Sequence, residues 1–294
     1  TKKIKVPYVY RNTPENLERL GEIINEFIAG LPISKEEILQ VCVNVAERVN
    51  PFEGKAYNMF TFLENPLAEK LTELIQLPVC IENDTRSMAF AEFIKGCCKG
   101  MKDVIFVNMC WGLGIGIIID GKLYYGKSGY SGEFGHMTAY NNNIICHCGK
   151  IGCIETEVSG RALKRRLTEN IMAGKPSILS DKVLNRKEEL SLQDIMDAIA
   201  KEDVLSLATL QHIADELGKQ LAGIINIFNP EMLVIGGEMS VTGDYLTLPV
   251  NMGIKKHSLN VMNEDSQIVT SDLKALAGIT GACLIARDKF LNEV

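Results

Sequence analysis

Four side chains that favour soft or borderline metals lie close together near the middle of the chain: His136, Cys146, Cys148 and Cys153. They fall in the run GYSGEFGHMTAYNNNIICHCGKIGCIETEVSG, with the spacing H-x9-C-x-C-x4-C. Three thiolates and one imidazole form the closed donor set that structural zinc prefers. Gly149 and Gly152 let a short knuckle bend around a small ion. Glu133 precedes the knuckle and Glu155 follows it, as suits a scaffold that aims polar groups at a ligand. Other readings stand beside this one. The cysteines could be ordinary buried thiols. They could also belong to a disulfide framework, the weaker reading for a chain of 294 residues with no visible secretory segment. His147 lies inside the knuckle, and by spacing alone it could replace His136 as the fourth ligand.

A second polar pair is Asn83-Asp84, in IENDTRSMAFAEF. An apolar strand ends there and a helix begins near Arg86, which is the edge where α/β folds bind ligands. Asp84 could also simply cap that helix.

The stretch from Gly132 to Glu155 resembles the signature of the ROK family of repressors and sugar kinases. The family pattern is G-E-x-G-H, a ten-residue step, then C-x-C-G-x-x-G-C-x-E, and every fixed position is matched. The resemblance implies a zinc ion on His136, Cys146, Cys148 and Cys153, and a sugar held by Glu133, His136 and Glu155. His136 would then serve twice, one ring nitrogen on the metal and the other donating to a sugar hydroxyl. The N-D-x-x-x-x-A run from Asn83 is similar to the family's remaining sugar contacts. Asn83 would bind the sugar, and in an active kinase Asp84 would accept the hydroxyl proton during phosphoryl transfer.

Other stretches depart from the kinase pattern. The family's phosphate-cradling G-T-G-I-G-x-G is replaced by Cys110-Trp111-Gly112-Leu113-Gly114-Ile115-Gly116. An indole cannot donate to phosphate as a hydroxyl does, and it fills space that a nucleotide needs. The remaining glycines then serve close strand packing. Gly236-Gly237 resembles an adenosine-binding loop, but Glu238 follows it, and a carboxylate repels an anionic nucleotide. Gly112, Gly114, Gly236 and Gly237 are thus weak nucleotide-site candidates, and ATP–Mg is disfavoured as a cofactor. Where the family carries a close-approaching Pro-Gly turn, this chain has Ala46 and Glu47.

The elements that must position these groups follow from periodicity and capping. Residues 3–10 read as a strand, on a sheet edge because of Pro7. Thr13 caps a helix with Pro14 at its first position, and Gly30 ends it. Residues 40–46 read as a buried strand, 66–76 as a helix and 78–81 as a strand. Strands follow at 103–109 and 117–119, with Asp120-Gly121 as a hairpin turn. Helices are expected over 159–170, 192–201, 204–228 and 273–290, and strands over 232–235 and 267–270. This order suits two α/β lobes with a cleft between them. The resemblance implies the actin-like, ribonuclease-H-like ATPase fold. The expected division is 1–102, with 274–294 packing back on it, and 103–273 with the zinc knuckle. The family's D-x-G-G-T strand pair does not occur in these residues, and the chain opens at Thr1 on a strand-like run. It therefore reads as a fragment or processed product starting just after that pair.

The composition bounds the function. With 37 acidic and 31 Lys or Arg residues, the net charge is −6 and offers no basic face to nucleic acid. No apolar run is long enough to span a membrane. Nine cysteines suggest a reducing cytoplasm. The sugar-site residues match the family while the nucleotide side does not. The expected function is therefore the sugar-sensing domain of a ROK transcriptional regulator, with a ROK sugar kinase as the alternative. Its partners would be a monosaccharide or sugar phosphate and copies of itself in a dimer or tetramer. DNA would be contacted only through an upstream segment. A noncatalytic interaction protein is disfavoured, because a zinc staple alone needs none of the acids.

Overall fold

The computed structural model describes residues 4–293. In chain order the elements are α1 (Pro14–Ala29), β1 (Val41–Val45), β2 (Val49–Asn50), β3 (Lys55–Ala56), α2 (Leu67–Ile75), β4 (Val79–Asn83), α3 (Asp84–Lys95), β5 (Val104–Met109), β6 (Leu113–Ile119) and β7 (Lys122–Leu123). There follow α4 (Gly160–Met172), α5 (Leu192–Ala200), α6 (Val204–Phe228), β8 (Met232–Gly236), α7 (Asp244–His257), α8 (Asn260–Asp265), β9 (Gln267–Thr270) and α9 (Ala277–Glu293). They group into two compact units. The first comprises 1–87, 125–131 and 278–294, and the second 88–124 and 132–277.

In the first unit, the alternating Val41, Val43 and Val45 favour extended backbone, and β1 pairs in parallel with β4, Val45 opposite Asn83. β1 is mostly half-buried rather than buried. Thr13 Oγ1 accepts the Asn16 N–H at 3.3 Å and starts α1 as its sequence implies. Leu17 and Ile28 of α1 join Leu67, Leu71 and Ile75 of α2 over Val45 and Ile81. A methyl group on Gly21 would lie 3.1 Å from Leu74 Cβ, so the small residue sets how closely these helices approach. The expected first strand is not formed. Residues 4–10 make no ladder, and residue 3 lies outside the described residues. Ile4 and Val9 face solvent, so their β propensity is not supported by packing.

The second unit is built on a five-stranded sheet in the order β7-β6-β5-β8-β9. β5 is buried along its whole length, antiparallel to β6 and parallel to β8. β6 starts at Leu113, earlier than expected, and takes Gly114 and Gly116 into the ladder. Asp120 and Gly121 adopt positive φ in the tight turn to β7, as the dipeptide requires. Asp203 caps α6 through Ser206 N–H, and Asn229 in the left-handed region ends it before Pro230. α6 packs on α7 through Gly218 and Gly253, where added methyls would come within 2.4 Å of Val250 O and 2.8 Å of Asp215 O. Among the described residues, no helix is long and apolar enough to cross a membrane.

Candidate metal centre and ligand-binding site

One 3-10 turn, Phe134–His136, presents His136, and two isolated bridges, Thr138–Cys153 and Ile145–Ile151, fold the knuckle back beside it. Cys146 N–H donates to Lys150 O at 2.7 Å and Gly149 N–H to Cys146 O at 2.9 Å, closing the loop that carries Cys148. Gly152, at φ +75°, admits Tyr140 O where a Cβ would meet it at 2.3 Å. The donor atoms of His136, Cys146, Cys148 and Cys153 all lie within 4.8 Å of one another. Cys146 Sγ is 3.6 Å from His136 Nδ1, and Cys148 Sγ is 3.7 Å from Cys153 Sγ. Tetrahedral zinc, with bonds of about 2.0–2.3 Å, spaces its ligands by roughly 3.5–3.8 Å, so the set fits that ion. Burial raises the Cys146 thiol pKa. Burial and the neighbouring Cys148 push Cys153 up to about 12. Three thiolates are therefore held here only with a cation among them.

His147 does not complete the three-sulfur set; His136 does. His147 Nδ1 is 3.8 Å from Cys146 Sγ but 2.8 Å from Glu155 Oε1. His136, His147 and Glu155 also form a close group of their own.

The flanking acids differ in setting. Glu133 Oε2 lies 3.6 Å from His136 Nε2, the ring nitrogen turned away from the sulfurs, and is partly exposed. Glu155 is buried in a 3-10 turn directly after Cys153. It accepts Leu113 N–H at 3.0 Å and Arg161 Nη1 at 3.2 Å. A Cβ on Gly112 would stand 2.8 Å from Glu155 Oε2.

Asn83 and Asp84 belong to the first unit, at the junction of β4 and α3. Asn83 Oδ1 accepts Arg86 N–H at 3.0 Å and so caps α3, while Nδ2 donates to Glu47 O at 3.1 Å. Asp84 Oδ1 accepts Thr85 N–H at 2.7 Å, and burial holds its carboxyl above the usual aspartate range. The Glu47 carboxylate accepts Arg48 N–H at 2.9 Å and Asn58 Nδ2 at 3.3 Å. The residue the sequence did not single out is Arg86. It is buried, ion-paired with Glu82 at 2.7 Å, and donates to the carbonyls of Gly129 and Val49. Its one local signal was an acid four residues before it, Glu82.

The weak nucleotide candidates all have packing roles. Gly112 makes room for Glu155. Gly114 pairs with Asn108 in the sheet. A Cβ on Gly236 would strike the Phe106 ring at 2.3 Å, and Gly237, at φ +86°, abuts Met109 O. Trp111 packs on the second unit's core with Lys164 Nζ 6.0 Å from the ring centroid.

Comparison with known proteins places these features in a family. The sequence is 29% identical over 265 residues to a glucokinase of Halalkalibacterium halodurans, covering 89% of this chain and 80% of that protein. It is also 29% identical over 285 residues to the DNA-binding transcriptional dual regulator NagC of Escherichia coli, covering 96% and 68%. Among solved structures, a ROK family transcriptional regulator homologous to the E. coli MLC protein superposes with a TM-score of 0.81 at 30% identity, covering 98% of this chain and 72% of that one. A ROK glucokinase from Streptomyces griseus, in complex with glucose and AMPPNP, gives 0.79 at 27%, covering 95% and 89%. The fold is thus the α/β fold of the ROK structures. The sequence model of the ROK family matches residues 2–289, and the chain belongs to that family.

Proposed function

We propose that this chain is the sugar-binding effector domain of a ROK-family transcriptional regulator, with a structural zinc on His136, Cys146, Cys148 and Cys153. The candidate groups for a monosaccharide or its phosphate are Asn83, Asp84, Glu133, His136 and Glu155. A zinc held by His136 would fix the ring's tautomer, and Nε2, the nitrogen beside Glu133, would then be free to donate to a hydroxyl. The Glu133 and Glu155 carboxylates accept hydroxyl protons, and Asn83 supplies both donor and acceptor. Sugar binding shifts the population between two conformations, and the regulator reads that shift.

The observation that carries the sensor reading over the kinase is Trp111. It stands where the kinase pattern has a phosphate-binding hydroxyl, and its half-buried ring packs against the core. The kinase reading draws on Asp84, whose raised pKa suits a general base, and on the glucokinase relatives. Calorimetric titration of the zinc-loaded chain separates the two. Hexoses, N-acetylhexosamines or their 6-phosphates should bind without ATP–Mg. Sugar-dependent ADP release that disappears in Asp84→Ala would overturn the sensor reading.

A further inference from the structure

Glu155 is the most enclosed of the second unit's sugar-site candidates, with two hydrogen bonds and one ion-pair contact to its carboxylate. Leu113 N–H reaches Oε2, Arg161 reaches Oε1, and His147 Nδ1 reaches the same Oε1 at the shortest distance, 2.8 Å. An ionised carboxylate only accepts, so this contact requires the proton on His147 Nδ1. His147 is tethered on both sides by metal-site cysteines, Cys146 and Cys148. Its backbone position is therefore set by the knuckle, while its side chain, 44% exposed, points at the acid.

We propose that His147 is a positioning residue for sugar recognition: it orients the Glu155 carboxylate and links that acid to the metal knuckle. The proposal rests on the sugar-binding reading above. Charge-assisted hydrogen bonds are short and directional, so two donors on Oε1 and one on Oε2 restrict the carboxylate to one rotamer. A carboxylate held this way aims its remaining lone pairs at a ligand hydroxyl without losing side-chain freedom on binding. The knuckle then acts on the ligand twice, through His136 directly and through His147 by way of Glu155.

The test uses the zinc-loaded chain and variants His147→Ala, His147→Asn, Glu155→Gln and the double variant His147→Ala/Glu155→Gln. Zinc content is measured by atomic emission, and affinity by calorimetry with the hexose and N-acetylhexosamine panel. His147→Ala should keep its zinc and bind the sugar roughly three- to tenfold more weakly, the loss expected for one hydrogen bond. Asn, whose amide can reach the position of Nδ1, should recover part of that loss. Adding His147→Ala to Glu155→Gln should cost nothing further, because the two act as one unit. A long-range proton–nitrogen NMR correlation should show His147 protonated at Nδ1. Unchanged affinity in His147→Ala, additive losses, zinc loss on His147→Ala, or an Nε2-protonated ring would each overturn the proposal. If the unaltered chain binds no sugar while the ring carries its proton on Nδ1, the sugar reading fails and the orienting contact stands.

Discussion

Arg86 and Glu82 form a buried ion pair at 2.7 Å, their side chains 4% and 0% exposed, four residues apart across the junction that carries Asn83 and Asp84. Arg86 also holds the carbonyls of Gly129 and Val49, and Tyr125 Oη donates to Glu82 at 3.2 Å. The pair fixes where β4 stops and α3 starts, and so where two sugar-site candidates stand. Arg86→Ala leaves Glu82 charged, buried and short of a partner, which costs about 3–5 kcal/mol. Urea unfolding followed by circular dichroism should show a loss of that size. Lysine should not restore it, because an ammonium cannot reproduce the planar set of donors. A loss below about 1 kcal/mol would mean that solvent or rearrangement satisfies Glu82.

The knuckle gives a prediction about metal and acid together. Cys148→Ser removes one of three sulfurs and should abolish stoichiometric zinc and lower the Tm. Sugar affinity should fall with the zinc, since His136 loses its fixed tautomer; affinity that holds after zinc is lost would refute the coupling. Without metal the Cys146 and Cys153 thiol pKa values are raised, Cys153 to about 12, so both are protonated near neutral pH, as an ordinary thiol is. Zinc must displace those protons, about three per ion. Calorimetry in buffers of different ionisation enthalpy should count them. Apparent affinity should rise with pH and collapse in acid.

Asp84 carries its own pH signature. Its pKa is raised by burial, so the folded chain favours the protonated form more than the unfolded chain does. The sign follows: stability is greatest below the ordinary aspartate range and declines as pH rises from there through the folded-state value. Asp84→Asn removes this cost. It should raise the Tm at pH 7, and the gain should vanish once the pH falls below the usual aspartate range. The same variant should weaken sugar binding. A variant less stable at pH 7 would show that the Thr85 N–H contact outweighs desolvation.

Elements with self-contained signals were legible in the sequence. Thr13-Pro14 caps α1, the long period and Asn229-Pro230 bound α6, and Asp120-Gly121 turns β6 into β7. That one histidine and three cysteines gather in one knuckle was equally legible, because residue type and spacing there are local properties, although spacing left His147 open beside His136. What failed depends on partners distant in sequence. Residues 4–10 have strand composition but no ladder among the described residues. α7 was obscured by an internal Pro249 and is held by the close approach of Gly253 to α6. Arg86 was read only as the start of a helix, because its carbonyl partners, Gly129 and Val49, lie far along the chain. His147 was read only as a rival metal ligand. Spacing could not show that its ring turns to Glu155.

Gly112 separates the two functional readings with one methyl group. In a phosphate cradle, a substitution here would disturb nucleotide binding first. In this chain the added Cβ would stand 2.8 Å from Glu155 Oε2 and 3.5 Å from its Cδ, so the carboxylate must move. The backbone does not resist, because Gly112 is not among the residues with positive φ. Gly112→Ala should therefore keep its zinc and weaken sugar binding about tenfold, near 1.4 kcal/mol. It should leave the response to ATP–Mg where it is in the unaltered chain. Parallel calorimetric titrations with sugar and with ATP–Mg, on zinc-loaded protein, make the comparison. A variant that binds sugar normally but loses ATP–Mg binding would restore Gly112 to a phosphate-cradling role. It would also show that the Trp111 indole leaves room for a nucleotide, and the kinase would then be the better account of the chain.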